Sequence, residues 1–236
     1  MKKKVLSLAL AVALVAIAVG GSLAYFADSD AVTNTFTLGS VKIEIYENKA
    51  ATPSAEQGLG TLLPVVNTTP SADVNYKNKV VEVKNTGASK AYIRVLIAVP
   101  AELDGYLHLD WNDEGWLSLD EYTVSYEGQA YMVYAYDFEN AVESGKFTNE
   151  LLQGVYLGSD VDLKENEKGD LVFVRKEEGK IIDESTFVAH RLIPGGLHTS
   201  NEINILVAAQ AIQADGFGNA TDALNTGFGV NSNPWG

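Results

Sequence analysis

The stretch from Val81 to Pro100 reads VEVKNTGASKAYIRVLIAVP, and its alternation decides the fold class. Val81 and Val83 alternate with Glu82 and Lys84, and beyond Asn85-Thr86-Gly87 the residues Ile93, Val95 and Ile97 share one face of a second run that ends at Pro100. A period of two is the signature of a strand, because successive side chains leave opposite faces of a pleated backbone. Asn, Thr and Gly between the runs supply a turn, so the two read as neighbouring antiparallel strands.

Working outward, the same period recurs. Val41, Ile43 and Ile45 alternate with Lys42, Glu44 and Tyr46, and strands are expected over Tyr122 to Tyr126, Ala130 to Tyr136, Leu171 to Val174 and Glu202 to Gln213, with a second turn at Tyr126-Glu127-Gly128-Gln129. Helix signals are confined to a turn or two near Asn149 to Gln153 and to Ala220 to Leu224 behind the capping residue Asn219. Asn48 to Asn78, with Pro53, Pro64 and Pro70, reads as a long irregular loop, and Gly229 to Gly236 as a flexible tail. The expectation is an all-β chain: one antiparallel β-sandwich over residues 38–228, with short helices and the 48–78 loop as an insertion.

The first residues are of a different kind. Lys2, Lys3 and Lys4 precede an apolar stretch from Val5 to Val19, followed by Gly20-Gly21 and the small-x-small end Ser22-Leu23-Ala24. This pattern reads as a secretory signal peptide over residues 1–24, cut between Ala24 and Tyr25, and the stretch is short for a membrane span. Removing 24 of 236 residues leaves 212, enough for one core. The three leader lysines take the basic count from 17 to 14 against 31 acidic residues, so the formal charge goes from −14 to −17. Such a surface repels nucleic acid and anionic lipid, which leaves the uncleaved leader as the only expected membrane contact.

Ser22-Leu23-Ala24 followed by Tyr-Phe-Ala-Asp-Ser-Asp-Ala-Val-Thr-Asn-Thr-Phe-Thr-Leu-Gly (residues 25–39) resembles the leader and mature start of the TasA and camelysin (CalY) family, whose members are processed by a SipW-type signal peptidase. Val81 to Gly87, Ala91 to Val95 and Ala209 to Phe217 add to the likeness; residues 101–200 carry little of it. The resemblance implies a jelly-roll-like sandwich, secretion to the extracellular matrix or surface of a Gram-positive bacterium, and head-to-tail self-assembly in which each subunit donates its N-terminal strand to the next, with an accessory matrix protein as a further partner.

The segment itself suits that role. Tyr25 to Thr37 has no proline, contains several β-formers, and would be freed by cleavage to fill an unpaired edge of a neighbour, with Phe26, Val32 and Phe36 on one face. Asp28 and Asp30 favour the other reading, in which residues 25–31 are a disordered start and the chain from Thr33 forms an ordinary edge strand of its own sandwich. Both readings stay open at this level.

Catalytic and metal motifs are sparse. No His-Glu-x-x-His supports a camelysin-type protease, no Gly-x-Ser-x-Gly supports a serine hydrolase, and His108, His190 and His198 are isolated. There is no cysteine, hence no disulfide framework and no thiol nucleophile. From Asp110 to Glu121 the oxygens of Asp110, Asn112, Glu114 and Glu121 fall at positions 1, 3, 5 and 12, with Gly115 at 6, the spacing of a calcium loop. Glu114 is longer than the usual residue there and the flanks look like strands, so a plain acidic hairpin loop competes with calcium binding. Tyr122, Tyr126, Tyr131, Tyr134 and Tyr136 fit a carbohydrate platform or ordinary strand packing. Three function classes follow: a structural matrix protein assembling into filaments, a monomeric secreted or cell-surface binding module, and, least supported, a secreted protease.

Overall fold

The computed structural model describes residues 27–31, 34–36, 41–51 and 61–236. The Ala24–Tyr25 junction, Phe26 and Val32 lie outside the described residues, as does 52–60 within the expected loop. The chain is all-β and sandwich-like, built from three antiparallel sheets with strands numbered along the chain. One sheet holds β1 (Ala27–Ala31), β2 (Asn34–Phe36), β6 (Ala91–Pro100), β8 (Trp116–Ser118), β9 (Tyr122–Tyr126), β10 (Gln129–Phe138) and β16 (Leu206–Gln213), in the order β2-β1-β16-β6-β10-β8 with β9 also on β10. The second holds β3 (Ile43–Glu47), β4 (Ala50–Ala51), β5 (Lys77–Asn85), β7 (Leu107–Trp111) and β11 (Leu152–Leu157), in the order β4-β3-β5-β11-β7. The third runs β12 (Val161–Glu165), β13 (Leu171–Glu177), β14 (Lys180–Ile193), β15 (Leu197–Ser200). Among the described residues one α-helix, α1 (Ala220–Phe228), follows β16.

The first two sheets face each other. Ile93, Val95 and Ile97 of β6 and Val207, Ala209 and Ala211 of β16 form a single buried cluster with Ile43, Ile45, Val81 and Val83 of the opposite sheet. Their odd numbering is the period-two pattern of the sequence turned into a core face. Trp111 of the second sheet reaches across to Tyr134 and Tyr136 of β10, with ring centroids 5.7 and 4.8 Å apart.

Asn85-Thr86-Gly87 does not make a hairpin, because β5 and β6 lie in different sheets. The segment is an arch, and Asn85 is its knot: fully buried, it donates through Nδ2 to the carbonyls of Ser89 and Val142, both at 2.8 Å, and accepts from the Gly87 amide at 3.0 Å. The amides of Thr86 and Gly87 both donate to the Lys42 carbonyl. A buried amide side chain satisfied in this way specifies the crossing where an exposed turn residue would not. Tyr126 to Gln129, by contrast, is a true hairpin turn, with Glu127 and Gly128 both at positive φ.

Other expectations also change. Asn149 to Gln153 is not helical: Leu151 and Leu152 are fully buried, the Leu151 amide donates to the Val81 carbonyl, and β11 starts at Leu152. Core burial on the sheet overrides a weak helical preference. Part of the 48–78 loop is ordered by Asp73, whose carboxylate accepts from the amides of Val66, Asn67 and Asn75; these bonds hold it below the usual carboxylate range. Gly154 sits at a register shift in β11, where a Cβ would meet the Tyr76 ring at 2.2 Å, so only glycine lets that ring cross the strand.

Candidate functional site

The N-terminal and C-terminal segments meet on β16. Its edge carries β1, in the register Ala27↔Ile212, Asp28↔Ala211, Ser29↔Gln210, Asp30↔Ala209, Ala31↔Ala208, and β2 pairs outside β1 with Ser29 opposite Phe36. The segment expected either to be donated or to stand as an edge strand is therefore paired within its own chain from Ala27 onward, with β2 outermost and β1 between it and β16. Its sequence, Ala-Asp-Ser-Asp-Ala, consists of residues poor in strand preference. What the register offers β1 is main-chain pairing with β16.

The outer face of β16 and β6 is covered by the C-terminal segment. Arg94 of β6 is the centre of this cover: Nε and Nη2 donate to Oδ1 and Oδ2 of Asp137 on β10 at 2.6 and 3.1 Å, and both side chains are fully buried. Nη1 donates to the Gly229 carbonyl at 2.9 Å and Nη2 to Asn225 Oδ1 at 2.8 Å. The start of α1 is capped by Asn219, whose Oδ1 accepts from the Asp222 amide at 2.8 Å, and its end points the negative pole of the helix at the guanidinium. The expected flexible tail, 229–236, is instead docked. Tyr122 donates its hydroxyl proton to the Ser232 carbonyl at 2.7 Å, Gln210 donates to Ser232 Oγ at 2.9 Å, and Trp235 packs on the cluster around Leu96, Tyr131 and Val133.

The calcium-loop residues are not brought together. Asp110 on β7 accepts the Tyr76 hydroxyl at 2.6 Å, a contact that together with burial raises the phenol well above its usual range. Asn112 turns its side chain to the Glu150 carbonyl and the Glu114 amide, at 3.0 and 3.3 Å, while Glu114 and Glu121 are exposed beyond the turn. The flanks are strands, so the 12-residue spacing does not wrap around a point as it does between helices. Among the described residues no group of three or more His, Asp or Glu side chains could hold a metal ion.

The histidines lie on three strands. His108 on β7 stacks on Tyr156 at 5.1 Å, and His190 on β14 has its Nδ1 3.1 Å from Ser200 Oγ, while His198 lies on β15. The tyrosines divide by parity: Tyr131 lies under the C-terminal cover with Tyr122 and Tyr126, whereas Tyr134 and Tyr136 face the inter-sheet core. Burial, with Asp104 and Glu121 nearby, pushes the Tyr134 hydroxyl up to about 12. An open groove of about 550 Å³ on the third sheet is lined by Lys168, Asp170, Glu184, Thr186 and Arg191, but Glu184 is paired with Lys164 and Asp170 accepts from the Leu192 amide. None of this assembles a nucleophile with a base.

No protein family, no curated protein and no solved structure matches this chain. Its chemistry is read from its own residues. Arg94 and Asp137 are the residues that sequence reasoning passed over, and a signal was present: each is a lone charge inside an otherwise apolar strand run, Ala91 to Pro100 and Ala130 to Phe138. Two opposite charges so placed are costly to bury except against each other.

Proposed function

We propose that this is an exported structural protein that forms filaments by exchanging β1. After removal of residues 1–24 by a SipW-type signal peptidase, the strand leaves its own β16 and pairs with β16 of the next copy. The reading extends to an extracellular matrix built mainly of this chain. The observation that carries it is that this end of the sheet is closed by the β2–β1 pair, in which β1, a segment whose residues have little strand preference, pairs with β16. Exchanged or retained, β1 makes the same main-chain bonds, so the swap costs little beyond opening, and a head-to-tail exchange that does not close on itself propagates.

The buried cluster supports the same reading. It runs from Val41 to Ala211 and takes in residues of all three sheets, which gives each subunit a body to which a donated strand can attach. Protein beginning at Tyr25 is expected to form fibres in negative-stain electron microscopy and to leave the monomer peak on size exclusion. Replacing Phe26 and Val32 with Asp, or deleting 25–31, should leave a folded monomer. A mature protein that stays monomeric for days at high concentration, or variants that polymerise like the parent, would overturn the proposal.

A further inference from the structure

The sequence of β1, Ala27-Asp28-Ser29-Asp30-Ala31, reads the same in both directions. Register is normally set where an apolar face must meet the core, and a strand that alternates small residues with aspartates gives that rule little to act on. Displaced by two residues against β16, β1 keeps its aspartates on one face and its small residues on the other. Only the place of Ser29 changes.

The partner strand also carries a single distinguishing side chain. Gln210 is the only polar residue from Leu206 to Ile212, and the register sets it opposite Ser29 on one side and Arg94 of β6 on the other. It is 3% exposed, and among the described residues no donor reaches its Oε1. Its Nε2 is already given to Ser232 Oγ at 2.9 Å. On the β6 side the Arg94 guanidinium has turned to Asp137, Asn225 and Gly229. A buried carbonyl oxygen left without a donor costs free energy that one hydroxyl removes. Ser29 is the one residue of β1 with a hydroxyl, and directly opposed residues share a face.

We infer that Ser29 and Gln210 form a register key, in which the serine hydroxyl donates to Gln210 Oε1 and so selects one alignment of β1 on β16. Displaced by one residue, the strand sets the carboxylate of Asp28 or Asp30 against that oxygen, two acceptors facing each other out of water. Displaced by two, it sets an alanine there and leaves the acceptor bare. The key makes β16 selective for a strand with serine between two flanking small residues, whichever copy supplies it. Only the choice of copy rests on the proposed exchange.

The chain contains no cysteine, so introduced pairs report register without interference. In protein beginning at Tyr25, Ala31→Cys with Ala208→Cys reads the observed alignment. Ala31→Cys with Leu206→Cys, and Ala27→Cys with Ala214→Cys, read displacement by two residues in either direction. Mild oxidation should link the first pair and leave the other two free. Adding Ser29→Ala, which leaves β16 intact, should slow the first linkage about tenfold and bring up a displaced one, and Gln210→Leu should do the same. The two changes together should do no more than either alone, and Ser29→Thr should keep the parent pattern. A Ser29→Ala chain that links the first pair alone at the parent rate, a parent that links displaced pairs equally, or a first pair that never links would overturn the inference. Non-reducing electrophoresis judges the exchange separately. Linkage between copies gives a ladder, as exchange requires, whereas in-register linkage confined to single chains keeps the key and ends the exchange.

Discussion

Arg94 and Asp137 are charges of the main sheet completely removed from water, and the pair is bidentate with further donors of the guanidinium aimed at the end of α1. Removing one partner leaves the other charge buried without compensation. Arg94→Met is expected to cost about 3 to 5 kcal/mol in urea unfolding, whereas Arg94→Met with Asp137→Leu should recover much of that loss. His108 gives the expected pH response. Burial lowers its pKa, an effect opposed by Asp160 and reinforced by Arg175, so the folded chain holds the neutral ring below the ordinary value of about 6.5. The unfolded chain then takes up the proton first as pH falls. This contribution to stability is complete above the unfolded value and is lost as pH drops through the folded one. His108→Gln should therefore flatten the stability difference between about pH 7.5 and about pH 5.5, measured by urea midpoints, relative to the parent.

At the scale of elements, the C-terminal segment acts as a cover for β6, β10 and β16. Deleting 230–236 removes Trp235 and the Ser232 contacts with Tyr122 and Gln210, and should cost roughly 1.5 to 3 kcal/mol, the worth of a large buried side chain. Increased binding of a hydrophobic dye should accompany the lower urea midpoint. The strands themselves were legible beforehand: Tyr122 to Tyr126 is β9 residue for residue, and the alternation at Ile93 to Ile97 marks the core face of β6. Partners were not legible. Alternation says which face of a strand is wet, yet Asn85 reads as the same turn residue whether the chain doubles back or arches to another sheet, and only its buried contacts with Ser89 and Val142 separate the two. Of the third sheet only Leu171 to Val174, within β13, was legible, for a related reason. Three register shifts between β13 and β14 break the period that would have announced it. The loop at Asp110 shows the reverse situation, a spacing that matched a calcium loop while the strand character of the flanks, already legible, favoured a plain acidic loop.

For the whole molecule, charge bears on the proposed assembly. With the leader removed as proposed, a body carrying −17 would resist joining another, and at about 0.1 M salt that repulsion is screened beyond about 10 Å. Fibre elongation, followed by light scattering, should accelerate from low to moderate sodium chloride and then level off; a rate that falls with salt would point to assembly driven by ion pairs. The pairing of β1 with β16 also imposes an order in time, since roughly 180 residues separate the two strands and such distant contacts form late. A polypeptide threaded through a membrane with its amino end leading presents β1 well before β16 has emerged. If the chain is exported and exchanges β1 as proposed, the only β16 available during that interval belongs to a subunit already outside, so the slowness of export would itself bias the strand toward a neighbour.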